Sequence, residues 1–120
     1  MNFEEHAAKS LVLNAVGIPT LRGTLCTTPA EAAAAATNIG PCVVKAQVPA
    51  GKRGKAGGIK PARTPDEARA AADQILGMSI GGYTVERLLV EEQAQIVREF
   101  YAAALHDVAA RRPLILFSTE

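Results

Sequence analysis

With 120 residues, 48% of them hydrophobic, the chain has room for one modest domain that buries about two thirds of its unfolded surface. Its net charge of +1 gives no global electrostatic argument for nucleic acid or a membrane surface. Cys26 and Cys42 are widely separated and form no Cys-x-x-Cys, and neither a signal peptide nor a long apolar run occurs, so the reading is a reduced, cytoplasmic setting with the cysteines as small buried hydrophobes.

The elements follow in order. Asn2 is a candidate N-cap with Glu5 three residues on, and Phe3, Ala7 and Leu11 share one face before Gly17 and Pro19 stop the helix. Thr28-Pro29-Ala30-Glu31 sets a cap hydroxyl, a proline at the first helical position and a glutamate at the third, and its Ala-rich run ends at Asn38-Ile39-Gly40. Thr64-Pro65-Asp66-Glu67 repeats that signature and predicts a helix to Leu76-Gly77. Strands are predicted over 42–48, 58–60 and 88–91, the last preceded by the turn pair Gly81-Gly82. Beyond Glu92, propensity alone favours a helix over 93–108.

The most informative window is Val43 to Lys60, VVKAQVPAGKRGKAGGIK. Gly51, Gly54, Gly57 and Gly58 share it with Lys45, Lys52, Arg53, Lys55 and Lys60, and no acidic residue interrupts. Glycines let backbone N–H groups approach an anion, and the cations offset its charge, which points to a polyphosphate. The commonest phosphate loop is excluded, because Gly54-Lys55 is followed by Ala56 where a Ser or Thr is needed. The dinucleotide fingerprint is excluded as well, because the loop leads into a strand and not a helix. Two readings stand on composition: a phosphate-binding hairpin, or a flexible basic surface hairpin.

This window resembles the β subunit of succinyl-CoA synthetase and its ADP-forming acyl-CoA ligase relatives, which carry an ATP-grasp nucleotide site. The opening Met1-Asn2-Phe3-Glu4-Glu5-His6-Ala7-Ala8-Lys9 is similar to the family's first helix, and Gly17-Ile18-Pro19, Thr27 to Glu31, Val90-Glu91-Glu92, Arg98 to Tyr101 and Phe117 to Glu120 follow in the family's order. The match spans the chain but only the N-terminal part of a typical family member, so the chain reads as truncated. The fold expected is α/β (α+β), a small lobe over roughly 20–92 built of hairpin, helices and strand, followed by the start of a larger lobe's central sheet. The resemblance turns 98–105 into a strand, paired through a turn at His106-Asp107 and Arg111-Arg112-Pro113 with 114–118.

The resemblance implies that Lys45 contacts nucleotide phosphate and that Lys52, Arg53 and Gly54 occupy a loop triplet that normally reads Gly-Arg-Gly. Lys52 departs from that pattern. Glu91 falls where the family places an acidic residue against the nucleotide, with Leu89 and Val90 as an apolar wall, Ala94 as a backbone contact and Glu99 as a second acidic candidate. Which of Glu91 and Glu92 points inward is open. His6 and His106 are assigned to structure or solvent, because the family's phosphohistidine belongs to an α partner. ATP is the implied nucleotide, though GTP is not excluded. The magnesium ligands are expected outside this chain, and CoA mainly on the partner. No catalytic residue or metal ligand is assigned to this segment. An interaction module holding an anion such as RNA is the alternative from another class, weakened by the absence of aromatics from 43–63. Another ATP-grasp ligase is a third. No nucleic acid and no membrane are expected as partners, and the fragment is expected to self-associate.

Overall fold

A computed structural model describes residues 3–119 of the chain. The first segment is α-helical over Glu5–Ala8 (α1), widens to a π-helix over Lys9–Leu13 and tightens to a 3-10 turn over Asn14–Val16, leaving through Gly17 at φ 77°. The sequence predicts one amphipathic helix seated by its apolar face. Instead Phe3 and Leu11 are exposed, and no residue from Glu5 to Val16 is buried. The predicted cap Asn2 lies outside the described residues, and Glu4 stands at the N-cap without a side-chain capping bond.

The two Thr-Pro helices form as predicted, Pro29–Ile39 (α2) and Pro65–Ile75 (α3). Thr28 and Glu31 make a reciprocal capping box, with the Glu31 N–H donating to Thr28 Oγ1 and the Thr28 N–H to Glu31 Oε2, each at 3.2 Å. Thr64 caps α3 in the same way, and Glu67 reaches one residue further back, to the Arg63 N–H. Their buried faces are almost all alanine: Ala32, Ala33, Ala35 and Ala36 on α2, and Ala68, Ala71 and Ala72 with Ile75 on α3. Small side chains let the two helices pack closely against one another.

The central sheet is antiparallel. It comprises Gly23–Cys26 (β1), Cys42–Ala46 (β2), Ile59–Ala62 (β3) and, after a tiny hairpin of Ser79–Ile80 (β4) and Tyr83–Thr84 (β5), Leu88–Glu92 (β6), in the order β1-β6-β2-β3. Pro61 sits in β3, where an edge strand tolerates the missing N–H. Gly81 and Gly82, at φ 60° and 84°, supply the two left-handed positions of the β4–β5 turn. The helices α2 and α3 cover one face, where Cys42, Val44, Ala46, Leu88 and Val90 join the core. Side-chain alternation sends Val43, Lys45, Leu89 and Glu91 to the other face.

Tyr101–Asp107 (β7) and Arg112–Ser118 (β8) pair only with each other. The strand reading therefore holds over the helical propensity. The turn does not fall at His106-Asp107: His106 lies within β7 opposite Pro113. The chain reverses over 108–111, where Ala110 N–H donates to Asp107 Oδ1 at 2.9 Å and Arg111 adopts φ 52°. Both faces of this hairpin are apolar and open, with Leu105, Leu114, Ile115, Leu116 and Phe117 exposed.

Candidate functional site: an ion-pair cluster beneath the glycine-rich hairpin

The site lies on the sheet face away from α2 and α3. Lys45 on β2 stands opposite Leu89, one alternation from Glu91, so their side chains rise from the same face of adjacent strands. Lys45 Nζ donates to Glu91 Oε2 at 2.6 Å. Glu91 is 2% exposed and would be costly to bury alone, and a second cation, Lys9 of the first helical segment, also donates to it.

Glu5 completes the cluster from above. Its Oε1 accepts from Lys9 at 2.7 Å and from Lys45 at 2.9 Å, and its Oε2 accepts from Arg53 Nη2 at 2.7 Å. Burial pushes the Glu5 carboxyl upward, but hydrogen bonds from Lys9, Lys45 and Arg53 outweigh it and hold the pKa down at about 2. Burial likewise pulls Lys45 down, and the bonds to Glu91 and Glu5 reverse this, leaving its pKa raised. Three cations thus face two carboxylates, and the cluster keeps one positive charge in excess.

The loop between β2 and β3 is folded back onto this cluster. Arg53 Nη1 donates to the Ala46 carbonyl at 2.7 Å, and the Gly58 N–H donates to the Arg53 carbonyl at 2.9 Å. A Cβ on Gly58 would lie 2.5 Å from Ile80 Cδ1, 3.1 Å from the Ala46 Cβ and 3.3 Å from the Arg53 oxygen, so a side chain where the hairpin closes would force Ile80 to shift. Lys52 adopts φ 61°, a left-handed conformation that glycine takes at no steric cost. The Lys52 side chain and Gly54 are exposed at the loop tip.

Beside Lys9 and Glu91 a cleft of about 220 Å³ opens between the first helical segment and β1, floored by Leu21, Leu25 and Leu89. Leu89 therefore lies on the same face as Lys45 and Glu91 and lines the cleft. Val90 does not: it is fully buried against Val44 and the helices, because one step along a strand reverses the side chain. The question of Glu91 against Glu92 is resolved by the same alternation. Glu91 points in, while Glu92 accepts from the Arg22 N–H at 3.1 Å and from Arg22 Nε at 3.0 Å at the rim.

The structure thus brings Lys45, Arg53 and Glu91 together. Ala94 and Glu99 lie in the exposed extended segment between β6 and β7, outside the cluster. Sequence reasoning missed Glu5 and Lys9, whose i,i+4 spacing on one helix face was the available signal. His6 is tied to Gln47, with its backbone N–H donating to Gln47 Oε1 at 3.0 Å, and His106 is exposed on β7. Cys26 and Cys42 are free and buried; burial, with Glu31 and Cys42 nearby, pushes the Cys26 thiol up to about 11, which leaves it a poor nucleophile. Among the described residues no group of three or more His, Cys, Asp or Glu side chains is placed to hold a metal ion, and no helix is long and apolar enough to cross a membrane.

The chain is similar to known proteins over its whole length. The chain is 56% identical to the β subunit of ADP-forming succinate--CoA ligase of Rubrobacter xylanophilus and 50% identical to that of Chloroflexus aggregans, in each case over all of this chain and 31% of the relative. It therefore spans about a third of the length of these curated relatives. Among solved structures it resembles acetyl-coenzyme A synthetase 1 of Ca. Korarchaeum cryptofilum, in complex with coenzyme A, Ca-AMPCP and HgCl+, at TM-score 0.83 and 28% identity over 98% of this chain and 53% of that one. The family model described as an ATP-grasp domain matches residues 2–120. This chain, with its cationic strand-end and hairpin set over a buried carboxylate, belongs to the ATP-grasp domain family.

Proposed function

We propose that this chain is the nucleotide-binding part of an ADP-forming acyl-CoA ligase of the succinate--CoA ligase type. The observation that carries this reading is the convergence of Lys45 and Arg53 beneath a glycine-rich hairpin, next to the inward carboxylate of Glu91. Lys45 presents a compact point charge and Arg53 a planar fork, and both suit the oxygens of a polyphosphate. Lys52 and Gly54 bring the loop tip over the same ligand. Glu91 and Leu89 face the neighbouring cleft, where a carboxylate accepts hydrogen bonds from ribose hydroxyls or a base amino group and leucine packs on the ring. The family resemblance adds Ala94 and Glu99, on the exposed segment after β6 and outside this cluster and cleft, as further contacts to the nucleotide.

In this reading ATP phosphorylates a histidine of an α partner, the phosphate activates a carboxylic acid, and CoA displaces it. ATP supplies the phosphoryl group together with Mg2+, whose protein ligands come from outside these residues. This chain's own part is to hold the nucleotide, orient its phosphates and cover them from water. The lobe corresponds to residues 20–92, the hairpin that follows belongs to the larger lobe, and the setting is cytoplasmic.

The test is nucleotide binding and ATP-dependent phosphate labelling of the full-length protein with its α partner. Lys45→Ala and Arg53→Ala each lose about 1–3 kcal/mol of nucleotide affinity, the worth of a charge-assisted hydrogen bond. His6→Ala and His106→Ala label as the parent does. Normal nucleotide affinity in both cation variants, or loss of labelling in either histidine variant, overturns the assignment.

A further inference from the structure

The first helical segment is held to the lobe in an unusual way. Within the described residues, Glu5 to Val16 buries no residue, and its large apolar side chains Leu11, Val12 and Val16 stay off the lobe. Its attachment is polar: Glu4 to Arg87 at 2.9 Å, the His6 N–H to Gln47, Lys9 to Glu91, and above all Glu5 to Lys45 and Arg53. One carboxylate thus spans the two cations assigned to the nucleotide, with one oxygen on each. That is the bridging geometry of two oxygens of a single phosphate group. The cations remain reachable, at 19% side-chain exposure for both Lys45 and Arg53.

We propose that the Glu5 carboxylate is an internal stand-in for a phosphate group, displaced when a polyphosphate binds, and that its displacement releases the first helical segment from the lobe. The proposal rests on the nucleotide reading above and names the group with which the nucleotide competes. Lys45 keeps Glu91 as its second partner, so it stays in place while Glu5 leaves. The excess positive charge of the cluster favours the exchange, because a polyphosphate brings more negative charge than the single carboxylate it replaces. The π-helical stretch over Lys9–Leu13 adds a weak point, since its wider hydrogen-bond spacing is less regular than an α-helix.

The experiment uses the full-length protein, with ATP and inorganic tripolyphosphate as probes. Amide hydrogen exchange over 5–16 is expected to quicken at least severalfold on saturation with either probe, while exchange in α2 and α3 does not quicken. Glu5→Gln, which keeps the shape and removes the charge, is expected to bind tripolyphosphate about tenfold more tightly and to show fast exchange over 5–16 without ligand. Glu4→Gln, which weakens the Arg87 and His6 contacts and leaves Lys45 and Arg53 untouched, serves as the control with parental affinity. If the parent binds both probes yet 5–16 stays protected, or Glu5→Gln binds no more tightly, displacement is wrong and the nucleotide site stands. If the parent binds neither probe, displacement and the nucleotide reading fall together.

Discussion

Lys45 and Glu91 meet across neighbouring strands at 2.6 Å, and Glu91 is the one acidic side chain among the described residues that is fully buried. Removing one member of a buried ion pair leaves the other uncompensated, typically at about 3–5 kcal/mol. Lys9 also donates to Glu91, so Lys45→Met is expected to destabilise by less, about 1–3 kcal/mol. Adding Glu91→Leu to Lys45→Met should recover part of that loss, as read by a double-mutant cycle of denaturant unfolding. Simple additivity of the two changes would show that the pair is not coupled.

The cluster sets a pH window for the first helical segment. The Glu5 pKa is depressed from 4.5 to about 2 in the folded state, so its contribution is present above the unfolded value and is lost as pH falls from 4.5 toward 2. The Lys45 pKa is raised above 10.5, so its contribution is complete below that value and is lost as pH rises through the folded one. Amide chemical shifts of 5–16 are therefore expected to move toward random coil on acidification from pH 4.5 to pH 2, and the step is expected to vanish in Glu5→Gln. An unchanged titration in that variant would place its origin elsewhere.

Lys52 holds a left-handed backbone that costs a side-chain-bearing residue about 1–2 kcal/mol. Lys52→Gly is expected to raise stability by about 0.5–1 kcal/mol, less than the full strain because glycine also loosens the unfolded chain. Thermal unfolding measures this, and a lowered melting temperature would contradict it.

Gly58 is the reverse case. Gly58→Ala pushes a methyl into Ile80 and toward the Ala46 Cβ, 3.1 Å away, and is expected to destabilise by about 1–3 kcal/mol. A companion Ile80→Val should return part of it, measured by denaturant midpoint.

The β7–β8 hairpin predicts association. Its strands pair only with each other, and Ile115 and Phe117 on one face and Leu105, Leu114 and Leu116 on the other are exposed. Apolar edges of this kind recruit further strands. A polypeptide limited to residues 1–120 is expected to self-associate with rising concentration in light scattering, and Ile115→Lys with Phe117→Ser to suppress it. A clean monomer across a wide range would run against this.

Local chemistry made α2 and α3 legible, because a Thr-Pro-x-Glu cap is a short-range signal satisfied within four residues. Lys45, Arg53 and Glu91 were singled out by the family resemblance, and strand alternation accounts for Lys45 and Glu91 sharing one face. Strand β1 was not, since Gly23 to Cys26 has weak propensity and exists through pairing with residues 88 to 91. Glu5 and Lys9 escaped for the same reason: their partners lie up to 82 residues away in sequence. The apolar spacing of Phe3, Ala7 and Leu11 misled about which side of the first helix faces the sheet, because charge rather than burial seats it.

The strand order β1-β6-β2-β3 places the last-synthesised strand of the lobe near the middle of its sheet. Until Leu88–Glu92 leaves the ribosome, β1 has no partner in the sheet and both edges of the β2–β3 hairpin are bare. The emerging chain cannot build this sheet strand by strand. The β2–β3 hairpin can pair locally, but β1 must wait for β6, a non-local closure that slows folding. Synonymous changes that slow translation once Leu88–Glu92 has left the ribosome would then lengthen the pause in which that closure occurs.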